Sequence, residues 1–156
     1  MNVFINRELL PEFISRSSKV AVIGHTNPDG DGIGSVTAMA AYLESLGKEV
    51  TMVTPTRHPD FLNSLVPEGR KVWSYINETS ECDALLSAAD LFICLDFNRL
   101  SRIDEMGRIL EKTQSAKVLI DHHLNPESGH FDIVISETEI SSACELLYQT
   151  LLQQPG

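Results

Sequence analysis

Three short stretches of the chain gather side chains able to bind cations and move protons. The first reads His25-Thr-Asn-Pro28-Asp29-Gly-Asp31-Gly-Ile-Gly34-Ser35, the second Leu95-Asp96-Phe97-Asn98, and the third Asp121-His122-His123. Imidazole nitrogen and carboxylate oxygen without thiolate suit Mn²⁺, with Mg²⁺, Co²⁺ and Zn²⁺ as alternatives. Two divalent ions about 3.5–4 Å apart need one shared carboxylate and separate flanking ligands. Asp96 is the natural bridge, with His25 and Asp29 serving one ion and Asp31 and His122 the other. A water held between two such ions ionises near neutral pH and can attack a phosphate in line.

Other chemistries fit the same residues less well. An EF-hand loop would place Asp29 and Asp31 at its first and third ligand positions and Gly34 at its sixth. Its twelfth position would be Ala40, which has no carboxylate to give. Gly30, Gly32 and Gly34 give G-x-G-x-G rather than the dinucleotide fingerprint, and Asp31 would face a pyrophosphate unshielded. An aspartyl-phosphate enzyme with Asp29 as nucleophile and Asp31 as acid leaves His25 and the histidine pair without work. Taken singly, an aspartate after a strand is usually a turn or cap residue. The weight lies in three such clusters falling at equivalent places.

Those places follow from the apolar pattern. Val20–Ile23, Val50–Val53, Leu91–Leu95, Val118–Ile120 and Phe131–Ile135 read as strands, the first, third and fourth ending directly into the three clusters. Helices are expected over Val36–Leu46, closed by Gly47, over Glu81–Ala88 and over Arg102–Lys112. Ser142-Ala-Cys-Glu145 fits a capping box opening a last helix through Leu152. The stretch Asp60–Ile76 reads as short helices broken around Pro67 and Gly69. Strands alternating with helices predict an α/β fold, a mostly parallel sheet with helices on both faces. In such sheets ligands collect outside the carboxyl ends of the strands, where all three clusters sit. The helix beginning near Gly34 would point its N-terminus at the site and favour a phosphate.

Composition narrows the class further. The 156 residues hold 12 Lys and Arg against 22 Asp and Glu, a formal charge of −10, with 42% hydrophobic residues. This is one ordinary globular domain rather than a disordered tail. The acidic balance argues against coating long duplex nucleic acid, whereas a metal site can locally reverse the sign for a small phosphorylated ligand. No apolar run approaches the roughly 18 residues of a membrane span, and the N-terminus lacks the apolar core of a signal peptide. Cys82, Cys94 and Cys144 are an odd count without a C-x-x-C pair, which fits a reducing cytoplasm.

The three clusters together resemble the DHH phosphoesterase superfamily, which includes RecJ-like enzymes. His25 to Ser35 matches its H-x-x-P-D-x-D-x-x-G-S signature, Asp96 its lone aspartate, and Asp121-His122-His123 the motif that names it. Ser141-Ser-Ala-Cys-Glu145-Leu-Leu-Tyr148 resembles the S-S-x-x-E-L helix start of its nanoRNase and pAp-phosphatase branch. The resemblance implies His25, Asp29, Asp31, Asp96 and His122 as ligands of two Mn²⁺ ions. It further implies His123 at the scissile phosphate and Asp121 orienting the histidines from behind. The implied substrates are short oligonucleotides or 3′-phosphoadenosine 5′-phosphate. Cyclic dinucleotides, pyrophosphate, or metal and nucleotide binding without catalysis are the alternatives. Relatives carry a further ligand aspartate and a smaller second domain, DHHA1, beyond the equivalent of Gln153-Gln154-Pro155-Gly156. Residues 1–156 are therefore expected to be a catalytic domain cut short, of low activity alone, with a second copy as a candidate partner.

Weaker candidates for substrate contact are Asn27, Ser35, Arg99 and Arg102. Both arginines could reach a phosphate or simply pair with Asp104 and Glu105. Cys94 and Cys144 read as core thiols, His58 and His130 as surface residues, and Trp73 and Tyr75 as packing aromatics.

Overall fold

A computed structural model describes residues 2–154. Seven strands form one sheet, β1 (Val3–Ile5), β2 (Lys19–Ile23), β3 (Glu49–Thr54), β4 (Val72–Ser74), β5 (Leu91–Leu95), β6 (Ala116–Asp121) and β7 (Ile133–Ser136). Their order is β1-β7-β6-β5-β2-β3-β4, with β1 antiparallel to β7 and the other pairs parallel. The α/β prediction stands, with an antiparallel edge added to it.

Alternation along the central strands divides the core. Val20 and Val22 of β2 and Leu91, Ile93 and Leu95 of β5 face α1 (Leu10–Ser15), α2 (Gly30–Ser45) and α5 (Ala143–Leu152). Ala21, Ile23, Phe92 and Cys94 face α3 (Thr79–Ala88), the 3-10 turn Leu100–Ile103 and α4 (Met106–Lys112). Strands buried on both faces read as unbroken apolar runs, which is why β2 and β5 are visible in the sequence. β1 and β4, with three residues each, are too short to show a period, and β4 lies inside the stretch expected to be short helices. Only its first part is helical, a 3-10 turn over Asp60–Leu65.

Two expected helices have different bounds. α2 starts six residues before Val36, because Asp29 caps it and accepts from the Gly32 amide at 2.8 Å. Its other end closes as expected, with Gly47 at φ +81 and the Lys48 amide reaching back to the Leu43 carbonyl at 3.1 Å. The helix expected over Arg102–Lys112 is broken at Asp104, whose φ is 48 and ψ −129. The break brings Leu100 so close to α4 that a Cβ on Gly107 would stand 2.9 Å from the Leu100 carbonyl oxygen.

Candidate metal centre

Strand order decides what the clusters can do. β5 lies between β2 and β6, so the residues following these three strands converge on one edge. The chain steps from β2 to β3 on one side, while β5 takes the other side of β2. The crevice between β2 and β5 is thus the point where the winding reverses, the usual ligand site of such sheets. His25 leaves β2 there, Asp96 leaves β5, and Asp121 ends β6.

Asp96 is at the centre and almost fully buried. Its φ of 65 is left-handed, a conformation aspartate tolerates better than most residues, and it turns the chain immediately after β5. One carboxylate oxygen, Oδ2, stands 3.3 Å from His25 Nε2, and the other, Oδ1, stands 3.1 Å from His122 Nε2. Asp29 Oδ1 approaches His25 Nε2 at 3.7 Å, and Asp31 Oδ2 approaches His122 Nε2 at 3.6 Å. The two oxygens of one carboxylate therefore face two separate His–Asp pairs. His25, Asp29 and Asp96 each offer a ligand atom within 4.8 Å of the others, and so do Asp96, His122 and His123.

Two of the three histidines, His25 and His123, are oriented from behind. His25 Nδ1 donates to the Thr26 carbonyl at 2.7 Å, leaving Nε2 to face the carboxylates. Asp121, fully buried, accepts from His123 Nδ1 at 2.6 Å with one oxygen and from the His123 amide at 3.0 Å with the other. The His122 and His123 rings lie 4.4 Å apart. The hydrogen bond to Asp96 is the main cause of a raised His25 pKa, opposed by burial and helped by the Thr26 carbonyl and the charges of Asp96 and Asp29. Burial alone would raise the Asp31 pKa, but the amides of Cys144 and Ala143 outweigh it and hold the carboxyl below its ordinary range.

The donor set and the space both fit a cation. Gly32 lies above His25, Asp29 and Asp96, and a Cβ on it would meet His25 Nε2 at 3.1 Å, Asp29 Oδ1 at 3.3 Å and Asp96 Oδ2 at 3.6 Å. The missing side chain is what leaves that hollow open. Sequence reasoning named the flanking ligand candidates but not Gly32. Its signal was a glycine inside a capped first helical turn, where alanine would be the better helix former.

Asp31 has a second task that the sequence did not reveal. Its oxygens accept from the Ala143 amide at 2.8 Å and the Cys144 amide at 2.9 Å, so the first turn of α5 is tied to the first cluster. The capping box expected at Ser142 is half present. Ser142 Oγ accepts from the Glu145 amide at 3.1 Å, while the Glu145 carboxylate takes the Ser141 hydroxyl instead. Cys144 is not a plain core thiol. Its Sγ lies 3.4 Å from the Asp31 carbonyl, and burial first, then the bond to Asp31, push the thiol up to about 12.

The weaker candidates separate. Ser35 is fully buried and its hydroxyl donates to the Gly32 carbonyl at 3.0 Å, so it packs inside α2 rather than facing the open edge. Asn27 has φ 53, which suits asparagine, and its amide donates to Thr56 Oγ1 at 2.7 Å. Arg99 and Arg102 are exposed, and neither guanidinium has a partner among the described residues. The expected pairing with Asp104 and Glu105 is absent, because Asp104 accepts from Thr26 and Glu105 pairs with Arg108. His130 is exposed, while His58 is half-buried against Asn63. Trp73 and Tyr75 pack against the core. A cavity of about 590 Å³ runs along β4 and shares no lining residue with the cluster. Its Arg57, Arg70 and Lys71 are each paired with an acid.

Known proteins share this fold. A crystal structure of an exopolyphosphatase-related protein from Bacteroides fragilis superposes with a TM-score of 0.90 at 36% identity, over 97% of this chain and 44% of that one. RecJ from Thermus thermophilus, solved in complex with Mn²⁺, shares the fold at a TM-score of 0.54 and 18% identity, over 96% of this chain and 21% of that one. The cyclic-di-AMP phosphodiesterases GdpP of Bacillus subtilis (strain 168) and Geobacillus thermodenitrificans (strain NG80-2) are 28% and 30% identical over 152 residues. Each alignment covers 94% of this chain and 23% of the relative, so the chain spans about a quarter of the length of these curated relatives. Residues 19–156, which carry all three clusters and α5, match the DHH family, N-terminal domain, and the chain belongs to that family.

Proposed function

We propose that this domain holds two divalent cations, Mn²⁺ first among them, and hydrolyses phosphate esters of short nucleotides. The observation that carries this reading is the split of Asp96, one oxygen toward His25 and the other toward His122. His25 and Asp29 would hold one cation, Asp31 and His122 the other, with Asp96 shared. Bound cations of this kind supply Lewis acidity at the phosphate and a water acidic enough to ionise near neutral pH. The protein's own work is orientation. The Thr26 carbonyl fixes the His25 tautomer, and Asp121 fixes the His123 ring so that its Nε2 remains for the substrate phosphate. Arg99 and Arg102, unpaired on the turn after Asp96, are the side chains we assign to the substrate's charge. A formal charge of −10 would repel long duplex DNA, and the resemblance of Ser141–Tyr148 to the nanoRNase and pAp-phosphatase helix start points to a dinucleotide or 3′-phosphoadenosine 5′-phosphate as substrate.

Cyclic dinucleotides form a second reading, favoured by the names of the two GdpP relatives. The cysteines are unbridged, no helix among the described residues is long and apolar enough to cross a membrane, and we place the domain in the cytoplasm. Turnover of a linear dinucleotide, 3′-phosphoadenosine 5′-phosphate, cyclic-di-AMP and pyrophosphate in ¹⁸O-water with Mn²⁺ tests these readings. Label should enter the product phosphate and never the protein. Opening of cyclic-di-AMP alone moves the assignment to the second reading. Mn²⁺ binding without turnover of any of the four removes the catalytic one.

Proton linkage gives an independent check. Because the His25 pKa is raised above 6.5, its proton stays on at pH values where an ordinary histidine is neutral. In the metal-free protein that interaction adds stability fully below about 6.5, and the gain is lost as pH rises through the raised value. A cation must displace the proton, so Mn²⁺ affinity should rise with pH across the same window, with about one proton released at His25. Calorimetry in buffers of different ionisation enthalpy reads that proton directly. An affinity that does not change with pH through that rise excludes His25 as a ligand.

A further inference from the structure

We propose that Asp104, exposed and outside the three clusters, is a positioning residue for the metal centre and acts on His25 through Thr26. The inference rests on the reading of His25 as a ligand. Thr26 is gripped three times. Its carbonyl accepts His25 Nδ1–H at 2.7 Å, its amide donates to the Arg102 carbonyl at 2.8 Å, and its hydroxyl donates to Asp104 Oδ2 at 2.8 Å. The last two bonds reach the turn that follows Asp96. His25, delivered by β2, and Asp96, delivered by β5, are thereby referenced to one segment rather than to two independent loops.

The backbone of Asp104 shows that this contact is maintained against a local preference. At φ 48 and ψ −129 the residue occupies a region that favours glycine, and the residue there is not glycine. Its carboxylate has no cationic partner among the described residues. Among the described residues the carboxylate of this strained aspartate makes one hydrogen bond, to the Thr26 hydroxyl. What the carboxylate does is hold the Thr26 hydroxyl, and so the peptide group that orients the His25 ring. Outer partners of this kind commonly carry 10- to 100-fold of metal affinity (about that range).

Three variants test this. Asp104→Gly relieves the backbone and should raise the melting temperature, yet lower Mn²⁺ affinity by about tenfold. Thr26→Val should lower affinity similarly. Asp104→Asn should keep it near the wild-type value, since asparagine carries the same backbone strain as aspartate there and offers the same acceptor. The metal-free readout is the His25 Nδ1–H resonance, slow to exchange with water in the wild type and the Asn variant, and fast in the Gly and Val variants. Unchanged affinity and unchanged exchange in Asp104→Gly overturn the proposal while leaving the metal centre intact. Altered exchange in a protein that binds no Mn²⁺ at all keeps the positioning role and removes the metal reading.

Discussion

Asp96→Asn should leave the domain folded and reduce Mn²⁺ binding from two ions to at most one, with turnover falling by about 10³-fold or more. The fold survives because asparagine accepts the left-handed φ of 65 that turns the chain after β5. The site does not survive, because the two oxygens now facing His25 at 3.3 Å and His122 at 3.1 Å become one oxygen and one amide. One side of the bridge then presents N–H donors to an imidazole nitrogen and to any cation beside it. Losing a shared ligand should exceed the 10- to 100-fold loss of affinity typical of outer partners (about that range). Paired cations supply several kcal/mol of charge stabilisation in the transition state, and about 4 kcal/mol corresponds to 10³ in rate. His25→Ala is the control, since it should weaken one ion and spare the other. Calorimetric titration gives both stoichiometries. Wild-type binding of two ions by the Asp96→Asn protein rules out the bridge.

Gly32→Ala should separate stability from function in a way that a merely structural glycine would not. In the first turn of α2, alanine gains about 1 kcal/mol of helix propensity over glycine. The added methyl must sit 3.1 Å from His25 Nε2 and 3.3 Å from Asp29 Oδ1, so these side chains shift by a few tenths of an ångström. The two effects oppose, and the melting temperature should change by no more than a few degrees, roughly 2–4 °C per kcal/mol at this size. The hollow beneath the helix turn, however, is filled. The His25-side cation should be lost, with a fall in turnover of about 10²-fold or more, because even displacement of the order of 1 Å is that costly. Differential scanning calorimetry beside a Mn²⁺ titration reads both. A Gly32→Ala protein with normal metal affinity shows that no cation lies in that hollow.

The ligand candidates and the strands that deliver them were readable in advance for a definite reason. β2, β5 and β6 are buried on both faces, and their unbroken apolar runs end abruptly in His25, Asp96 and Asp121. Short edge strands carry no such signal, which is why β1 and β4 were missed. The helix start at Gly30 was hidden for a related reason. Three glycines in six residues look like a loop unless the cap at Asp29 is already known.

Residue types alone determined the chemistry on offer: carboxylates at the ends of three buried strands, with imidazoles beside two of them and no thiolate in the clusters, in a chain whose helices must cover both faces of a sheet. Only the tertiary structure decided that β5 runs between β2 and β6, and therefore that Asp96 turns one oxygen to each histidine. It also decided that Asp31 binds the first amides of α5, that Gly32 opens a hollow over His25, and that Asp104 holds Thr26. Local propensity and burial are written in neighbouring residues, so a sequence displays them. Contacts such as Asp31 with Cys144 or Thr26 with Asp104 join segments far apart along the chain, and they exist only once the sheet has chosen its strand order and brought those segments together.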